Sequence, residues 1–296
     1  MEGFFVNLQK RWQMKKLKKK LKRILAFVAA VIAVLFYIAD ELDISYGQEG
    51  SSNAWIPESI HQLEIPQMTG SVNSQRVDYL GFSLSYNSLT RLPNWVAWEL
   101  TSEEAQGELP RKDRFRQDPQ IMGPQGDKGD YKHSGWDRGH MAPAGDFKWN
   151  GEAMDETYYF TNICPQNTQL NTGDWKELEE QCRRWAVEYG KIYIVCGPII
   201  EDNRHGKLGE NEIVIPDKFY KVVLAQGNGG YHAAGFLFVN PPQRKSKISG
   251  KPPVKRPLES YLATIDEIEG ITGIDFFPSL PDETENALES RKQMIP

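Results

Sequence analysis

The sequence is poor in cysteine and lacks the residue groups that hold zinc. Its 296 residues contain three cysteines, Cys164, Cys182 and Cys196, which allow one disulfide at most and leave one thiol over. No CxxC pair and no cysteine–histidine group has the spacing of zinc ligands. This pattern favours three partly buried structural cysteines over a metal site or a disulfide framework.

Internal repeats and long low-complexity segments are also absent, which argues against a solenoid or a disordered chain. The composition is that of a globular protein, with 40% hydrophobic, 11% aromatic and 25% charged residues and eight tryptophans. A chain of this length has room for one domain of ordinary size plus extra segments.

The chain has no overall positive charge, but its charges are distributed very unevenly. Residues 1–23 contain nine Lys and Arg and a single Glu2. The remainder has 26 basic and 39 acidic residues, a net charge of −13. An acidic domain argues against a broad electrostatic surface for nucleic acid. A polyanion site must therefore be a local group of arginines or a bound metal.

Residues 24–39, ILAFVAAVIAVLFYIA, form an uncharged apolar run of sixteen. As a helix they span roughly 24 Å, and Lys22 and Arg23 can extend that length by snorkelling. An uncleaved signal anchor and a cleaved signal peptide both fit, but no A-x-A site closes the run. We expect a single-pass anchor in the cell inner membrane. Residues 1–23 would stay cytoplasmic, and the rest would lie on the periplasmic or extracellular side.

Hydrophobic periodicity predicts an α+β domain over 75–282, after a linker over 40–74 and before a loose acidic tail over 283–296. Trp175, Leu178 and Cys182 are spaced as on one face of a helix, which Gly190 ends. The other elements follow from alternation and turn residues. The expected strands are Val77–Tyr86, Asn94–Leu100, Thr157–Ile163, Lys191–Ile200, Phe219–Gln226 and His232–Val239; the expected helices are Asp174–Tyr189 and Tyr261–Glu269; residues 102–136 and 241–256 are expected loops.

The segment WDRGHMAPAGDF, residues 136–147, has an unusual density of chemically active side chains. His140 can take a proton from water near pH 7, and Arg138 offers a planar fork to a phosphate or fixes the loop. Taken alone, a histidine is more often structural than catalytic. The segment is compatible with phosphodiester hydrolysis.

Asn171 and Glu179 lie on either side of the start of the predicted helix. Asn171 stands where an N-cap residue belongs, but its amide oxygen could equally bind a hard cation. Glu179 could accept a hydrogen bond from a metal-bound water or be a solvated charge on the helix surface. The local sequence leaves both pairs of alternatives open.

The segment PRKDRFRQDP, residues 110–119, carries four basic residues in an otherwise acidic domain. One of its arginines could neutralise charge on a phosphate in the transition state. A solvated loop explains the segment equally well.

Together these segments resemble the DNA/RNA non-specific endonuclease family, the ββα-metal nucleases that include mitochondrial endonuclease G. The matching pieces occur in family order over roughly residues 76–280. They are PNWVAWEL, PRKDRFRQDP, DRGHMAPAGDF, TNICPQNTQLNTGDWKELE and IYIVCGPI.

The resemblance implies a ββα-metal (His-Me finger) core with a mixed, mainly antiparallel central sheet flanked by helices. It also implies a role for each residue that matches a motif. His140 would be the general base, Asn171 the direct ligand of a largely hydrated Mg²⁺, for which Mn²⁺ can substitute, and Glu179 a contact of its waters. Arg138 belongs to the signature, and Asn162 corresponds to an asparagine that shapes the site. Arg114 is the choice for the phosphate-stabilising arginine, with Arg116 and Arg111 as alternatives.

The implied activity is hydrolysis of DNA and RNA with little regard to sequence or sugar, leaving 5′-phosphate and 3′-hydroxyl ends. The resemblance also allows a homodimer. Three alternatives stay open: a module that binds nucleic acid without cleaving it, a phosphodiesterase for small or lipid-linked substrates, and a structural envelope protein.

Overall fold

A computed structural model describes residues 62–227, 230–243 and 256–296. The predicted basic segment 1–23, the predicted anchor 24–39 and residues 40–61 of the predicted linker lie outside the described residues. Within the described ranges, no helix is both long enough and apolar enough to cross a membrane.

The described residues form thirteen strands and seven α-helices. The strands are β1 Gln67–Met68, β2 Gln75–Asp78, β3 Ser83–Asn87, β4 Leu92–Thr101, β5 Asp137–His140, β6 Ile163–Gln166, β7 Lys191–Ile199, β8 Lys207–Leu208, β9 Ile213–Val214, β10 Lys218–Gly227, β11 Gly230–Val239, β12 Leu262–Ala263 and β13 Ile274–Asp275. The helices are α1 Ser102–Ala105, α2 Lys128–Tyr131, α3 Gly151–Glu156, α4 Thr168–Thr172, α5 Asp174–Tyr189, α6 Ile265–Thr272 and α7 Asp282–Glu289.

Seven strands form the central sheet, in the order β12–β11–β10–β7–β4–β3–β2. Every neighbouring pair in this sheet is antiparallel. Among the described residues, parallel pairing is limited to an isolated bridge between Arg116 and Tyr159. The predicted α+β fold with a mainly antiparallel central sheet is therefore confirmed.

Side chains alternate across the sheet and divide the core into two layers, because successive residues of a strand face opposite sides. On β10, Phe219 and Val223 enter the first layer, whereas Tyr220 and Val222 enter the second. The first layer is covered by α5 and by the segment that carries DRGH. The second layer is covered by α6 and α7.

Helix α5 has the two ends that the sequence predicts. Trp175, Leu178, Cys182 and Trp185 are buried on the face that meets the sheet. Burial of each large apolar side chain contributes about 1.5–3 kcal/mol. Gly190 follows the helix with a φ of 82°, a conformation that glycine adopts without steric cost.

Strands β5 and β6 form a separate two-stranded sheet that holds the DRGH segment. Gly139 of β5 pairs with Cys164 of β6. A Cβ atom on Gly139 would stand 2.3 Å from Oε1 and 2.7 Å from Cβ of Gln166, too close for any side chain. Glycine is therefore required for this close approach. Strands β5 and β6 together with α5 form the predicted ββα unit.

The predicted strand Val77–Tyr86 is two strands, β2 and β3, which pair with each other across a tight turn. The amide of Tyr79 donates to the carbonyl of Phe82 (2.8 Å) and closes the turn. The prediction joined the two strands because aromatic residues continue through the turn, where only Gly81 marks a break.

The predicted strand Thr157–Ile163 is wrong over most of its length. A 3₁₀ helix over Phe160–Asn162 precedes β6, which begins at Ile163. Tyr158 and Phe160 raise the strand propensity of this segment, but both pack into the core around the DRGH segment.

The predicted helix Tyr261–Glu269 begins four residues later than expected, at Ile265. The side chain of Thr264 accepts a hydrogen bond from the amide of Glu267 (3.0 Å) and caps the helix. The helix ends before Gly273, whose φ of 67° is left-handed. Leu262, counted as helical in the prediction, belongs to β12 instead.

The segment 102–136, predicted as a long surface loop, contains α1 and α2 and contributes to the core. Phe115, Ile121 and Tyr131 are buried in the first layer. The prediction missed these contacts because it relied on the composition of the whole segment, which is rich in charged residues and proline.

Both ends of the described domain differ from the prediction. Leu63 is buried and β1 pairs with β13, so residues 62–74 of the predicted linker belong to the domain. At the other end, residues 283–296 are not a loose tail, because α7 extends to Glu289 and Ile295 is buried. Both terminal segments are mainly polar, but buried apolar residues such as Leu63 and Ile295 attach them to the domain.

Asp217 fastens the loop after β7 to the start of β10. Its buried carboxylate accepts hydrogen bonds from the amides of Glu201 (2.9 Å) and Asp202 (3.2 Å). Its Oδ1 also lies 2.9 Å from Nε of Arg204. Burial alone would raise the pKa of Asp217, but these amides and Arg204 hold it below its usual value.

Candidate active site

A cavity of about 690 Å³ opens beside the end of β5 and the start of α5. Four of the six predicted site residues line it: Arg138, His140, Asn171 and Glu179. The other two do not. Asn162 is fully buried and Arg114 is exposed.

His140 is the last residue of β5, and its ring is enclosed by aromatic side chains. Phe115 and Tyr158 lie with their ring centroids 5.4 and 5.1 Å from the imidazole. Burial, followed by the positive charges of Arg111 and Arg138, lowers the pKa of His140 to about 3. The Nε2 atom is buried, which leaves Nδ1 as the nitrogen with access to the cavity.

Asn162 is completely buried and holds the backbone that follows His140. Its Oδ1 accepts from the amide of Ala142 (2.9 Å), and its Nδ2 donates to the carbonyls of Ala142 and Thr157 (2.9 Å each). Its own carbonyl accepts from the amide of Met141 (3.0 Å). Asn162 therefore shapes the site through the backbone, without lining the cavity.

Asn171 lies inside α4 and is not an N-cap residue. The cap of α4 is Asn167, and α5 begins after Gly173 without a side-chain cap. Nδ2 of Asn171 donates to Oδ2 of Asp137 (3.0 Å), the first residue of β5, and this hydrogen bond orients the side-chain amide of Asn171. The other oxygen of Asp137 accepts from the hydroxyl of Thr168 (2.8 Å), so the carboxylate itself is fixed.

Glu179 presents its carboxylate to the cavity from the middle of α5. Burial raises its pKa to about 7, and the positive charge of Lys221 opposes the increase. Lys221 is fully buried below it, 4.5 Å from the ring centroid of Trp175 and 5.2 Å from that of Trp98. Its Nζ has no hydrogen-bond partner within the described ranges.

Arg183 is a cavity residue that the sequence analysis missed. It follows Glu179 by four positions on α5, so both face the same side of the helix. Its Nη1 donates to the buried carboxylate of Asp146 (2.7 Å), the aspartate of the GDF sequence. Gly145 leaves room for it, since a Cβ there would stand 3.0 Å from Nη1. The i, i+4 spacing from Glu179 was the available signal.

Arg111, and not Arg114, brings a guanidinium to the cavity from the 110–119 segment. Nε of Arg111 donates to the hydroxyl of Tyr158 (3.2 Å), the ring that packs on His140. Arg114 is 61% exposed and pairs with Asp155 at 3.4 Å. Arg116 contacts the ring of Tyr159 at 4.3 Å, away from the cavity.

Arg138 stacks its guanidinium on the ring of Phe115, with 4.2 Å between Cζ and the ring centroid. The stacking holds a solvent-exposed cation beside His140 while leaving its N–H groups available.

Six basic side chains line the cavity against three acidic ones. The basic residues are Arg111, Lys128, Lys132, Arg138, Lys176 and Arg183; the acidic residues are Asp113, Asp137 and Glu179. The cavity thus concentrates positive charge in an acidic domain.

The oxygens of Asn171 and Glu179 fit a hard divalent cation. In the described part of the chain, Oδ1 of Asn171 accepts no hydrogen bond and the carboxylate of Glu179 makes none, although both side chains line the cavity. Amide and carboxylate oxygens are the protein ligands that Mg²⁺ prefers, and it keeps most of its waters. Few protein ligands are therefore sufficient.

Comparison with known proteins identifies relatives of this domain. The family model for DNA/RNA non-specific endonuclease matches residues 61–283. The chain is 35% identical over 218 residues to "Nuclease EXOG, mitochondrial" of Danio rerio, covering 68% of this chain and 60% of that protein. It is 30% identical over 211 residues to "Endonuclease G, mitochondrial" of Homo sapiens, covering 67% and 68%. The chain thus spans less than two thirds of the Danio rerio relative.

A solved structure shares the fold. The crystal structure of the EndoG/EndoGI complex aligns with a TM-score of 0.63 and 27% sequence identity, covering 73% of this chain and 90% of that one.

Proposed function

Because this chain belongs to the DNA/RNA non-specific endonuclease family, we propose that it is a metal-dependent nuclease that hydrolyses phosphodiester bonds of DNA and RNA. The observation that carries the proposal is the convergence of His140, Asn171 and Glu179 on one cavity lined mainly by basic side chains. Phosphodiester cleavage needs an activated water, compensation of charge on the phosphorus centre and help for the leaving oxygen.

His140 acts as the general base in this proposal. Burial lowers the pKa of His140, so the ring is uncharged at neutral pH, and its cavity-facing nitrogen is the atom that would accept a proton from the attacking water. Because Nε2 is buried, Nδ1 is the accepting atom and Nε2 carries the ring proton. The hydrogen bonds of Asn162 fix the backbone immediately after the imidazole, which limits its movement.

The metal would be Mg²⁺, with Mn²⁺ able to substitute; Asn171 would be its direct ligand, and Glu179 would contact its waters. When bound, it supplies positive charge to the phosphate and to the leaving oxygen. Asp137 orients the amide of Asn171, and Arg111 and Arg183 bring further positive charge to the same cavity. We assign the phosphate-stabilising role to Arg111 instead of Arg114 because Arg111 lines the cavity and Arg114 does not.

Low sequence preference follows from these contacts, since charged side chains recognise phosphates and carry little information about bases. The proposed products are 5′-phosphate and 3′-hydroxyl ends. The apolar run 24–39 supports a proposed single-pass anchor in the inner membrane, with the nuclease domain on its outer side.

The test incubates the purified chain with supercoiled plasmid and with RNA, in Mg²⁺ or in EDTA. We expect cleavage of both substrates in Mg²⁺ only, and its loss in His140→Ala. His133→Asn is the matched control, because His133 is exposed and outside the cavity lining. A folded wild type that cleaves neither substrate in Mg²⁺ or Mn²⁺ would refute the proposal and favour a binding module.

A further inference from the structure

Three carboxylates converge on the face of the sheet opposite the candidate active site. Asp266 and Glu269 belong to α6 and Glu289 to α7, and one carboxylate oxygen from each lies within 4.8 Å of the other two. We refer to these three residues as the acidic cluster. Two oxygens that bind one Ca²⁺ at about 2.3–2.6 Å are at most about 5 Å apart. A single ion can therefore bridge the cluster.

Glu289 is the buried member, and one of its oxygens has no partner among the described residues. Its side chain is 6% exposed, and its Oε1 is buried without a hydrogen-bond partner in the described ranges. Oε1 of Glu285, one turn earlier on α7, is also buried without a hydrogen-bond partner in the described ranges. Buried carboxylate oxygens are normally hydrogen-bonded, paired or bound to metal. The arrangement points to a positively charged ligand.

The surrounding segment supplies no positive charge. Residues 264–289 contain eight acidic residues and no Lys, Arg or His. Among the described residues, none of this segment takes part in an ion pair. No cationic side chain of this segment therefore neutralises the cluster.

The cluster is built on elements that hold its members in place. Oε1 of Glu269 accepts a hydrogen bond from the amide of Phe276 (2.8 Å), which fixes that carboxylate against the residue after β13. Thr264 caps α6, and Leu288 is buried in the second core layer beside Glu289. The carboxylates therefore approach one another because packed helices position them.

We propose that Asp266, Glu269 and Glu289 bind one Ca²⁺ ion that links α6 to α7, separately from the nuclease site. Carboxylates from several side chains suit Ca²⁺, which takes six to eight oxygen ligands in flexible geometry. Mg²⁺ loses its waters reluctantly and is usually held by one or two carboxylates. The ion stabilises the C-terminal part of the domain, and it has no part in the hydrolytic step.

Thermal unfolding of the full-length chain, followed in EDTA and in increasing Ca²⁺, tests this site. The Asn171→Ala background removes the amide ligand proposed for the nuclease metal, so that binding there does not contribute. We expect the Tm to rise by about 5–10 °C when Ca²⁺ exceeds its Kd a hundredfold. The rise should disappear in Glu289→Gln, which keeps the size of the side chain.

Two further variants keep the result interpretable. Asp266→Asn changes an exposed ligand, so it should remove most of the Ca²⁺ response while leaving the fold intact. Glu283→Gln removes an exposed charge of α7 outside the cluster and should retain the full response.

Two outcomes would overturn the site. One is a Tm that does not respond to Ca²⁺ in the Asn171→Ala background. The same conclusion follows if Glu289→Gln and Asp266→Asn keep the full Ca²⁺ response of that background. The other is a Tm insensitive to Ca²⁺ that rises steadily as the pH is lowered from 8 to 5. That result would assign the cluster to carboxylates sharing a proton.

Discussion

The side chain of Asn162 joins the backbone of Ala142, two residues after His140, to the backbone of Thr157. Its removal should therefore lower both stability and activity. Asn162→Ala deletes one accepted and two donated hydrogen bonds, leaving one amide and two carbonyls unpaired. Each unsatisfied buried group costs about 1–3 kcal/mol. Allowing for partial relaxation, we expect the free energy of unfolding to fall by about 3–6 kcal/mol, a large share of the 5–15 kcal/mol typical of a domain.

The assay combines urea unfolding, followed by tryptophan fluorescence, with plasmid cleavage under conditions where the variant is folded. Because Asn162 does not line the cavity, its loss should lower kcat while leaving KM nearly unchanged. Asn162→Asp keeps the size and the acceptor but places an oxygen against two carbonyls, so it should be about as destabilising. Asn150→Ala removes the half-buried cap of α3, outside the cavity lining, and should cost about 1 kcal/mol with normal activity.

The opposite pattern would refute this reasoning. If Asn162→Ala unfolded within about 1 kcal/mol of the wild type yet no longer cleaved DNA, the hydrogen bonds to the backbone would not explain its importance. Asn162 would then have to act on the substrate or the metal directly.

Three other predictions test separate parts of the description. Arg111→Ala should lower kcat/KM by about 10²–10³, the usual effect of removing a transition-state donor, whereas Arg114→Ala should change plasmid cleavage less than about threefold; equal effects would contradict the assignment. Gly139→Ala should destabilise the domain in urea by more than 2 kcal/mol, about the cost of overpacking, because its Cβ would stand 2.3 Å from Gln166; a neutral result would show that the strands can separate. Asp217→Asn should destabilise the domain at pH 7, but less at pH 3. A carboxyl whose folded pKa is depressed contributes stability above its unfolded pKa and loses it as the pH falls through the folded value. A constant difference in urea midpoint between wild type and variant at both pH values would contradict this.

The regular elements of the sheet and helix α5 could be predicted because burial imposes a period on the sequence. Helix α5 agrees with its prediction at both ends, since Trp175 to Trp185 follow one face and Gly190 ends it. Strand β7 agrees to within one residue for the same reason. The turn between β2 and β3 was missed, because its aromatic side chains pack inward as strand residues do.

Some positions in the site depend on contacts distant in the sequence, and these could not be predicted. The choice between Arg111 and Arg114 is decided by which side of the loop faces the cavity. That depends on Phe115, which packs on Tyr158, more than forty positions away. The helix position of Asn171 was also missed, because a separate short helix, α4, precedes α5 and contains Asn171, while α5 itself begins after Gly173 without a side-chain cap.

The two faces of the central sheet carry opposite charge. Six basic and three acidic side chains line the cavity on one side, and the segment 264–289, which has eight acidic residues and no basic ones, covers the other side through α6 and α7. This separation of charge contributes an electric dipole across the sheet of an acidic domain. Near a polyanionic strand such a molecule experiences a torque that turns its cavity toward the strand, even though its net charge opposes approach. Collisions are thereby made rarer but better oriented, and dissolved salt weakens both effects together.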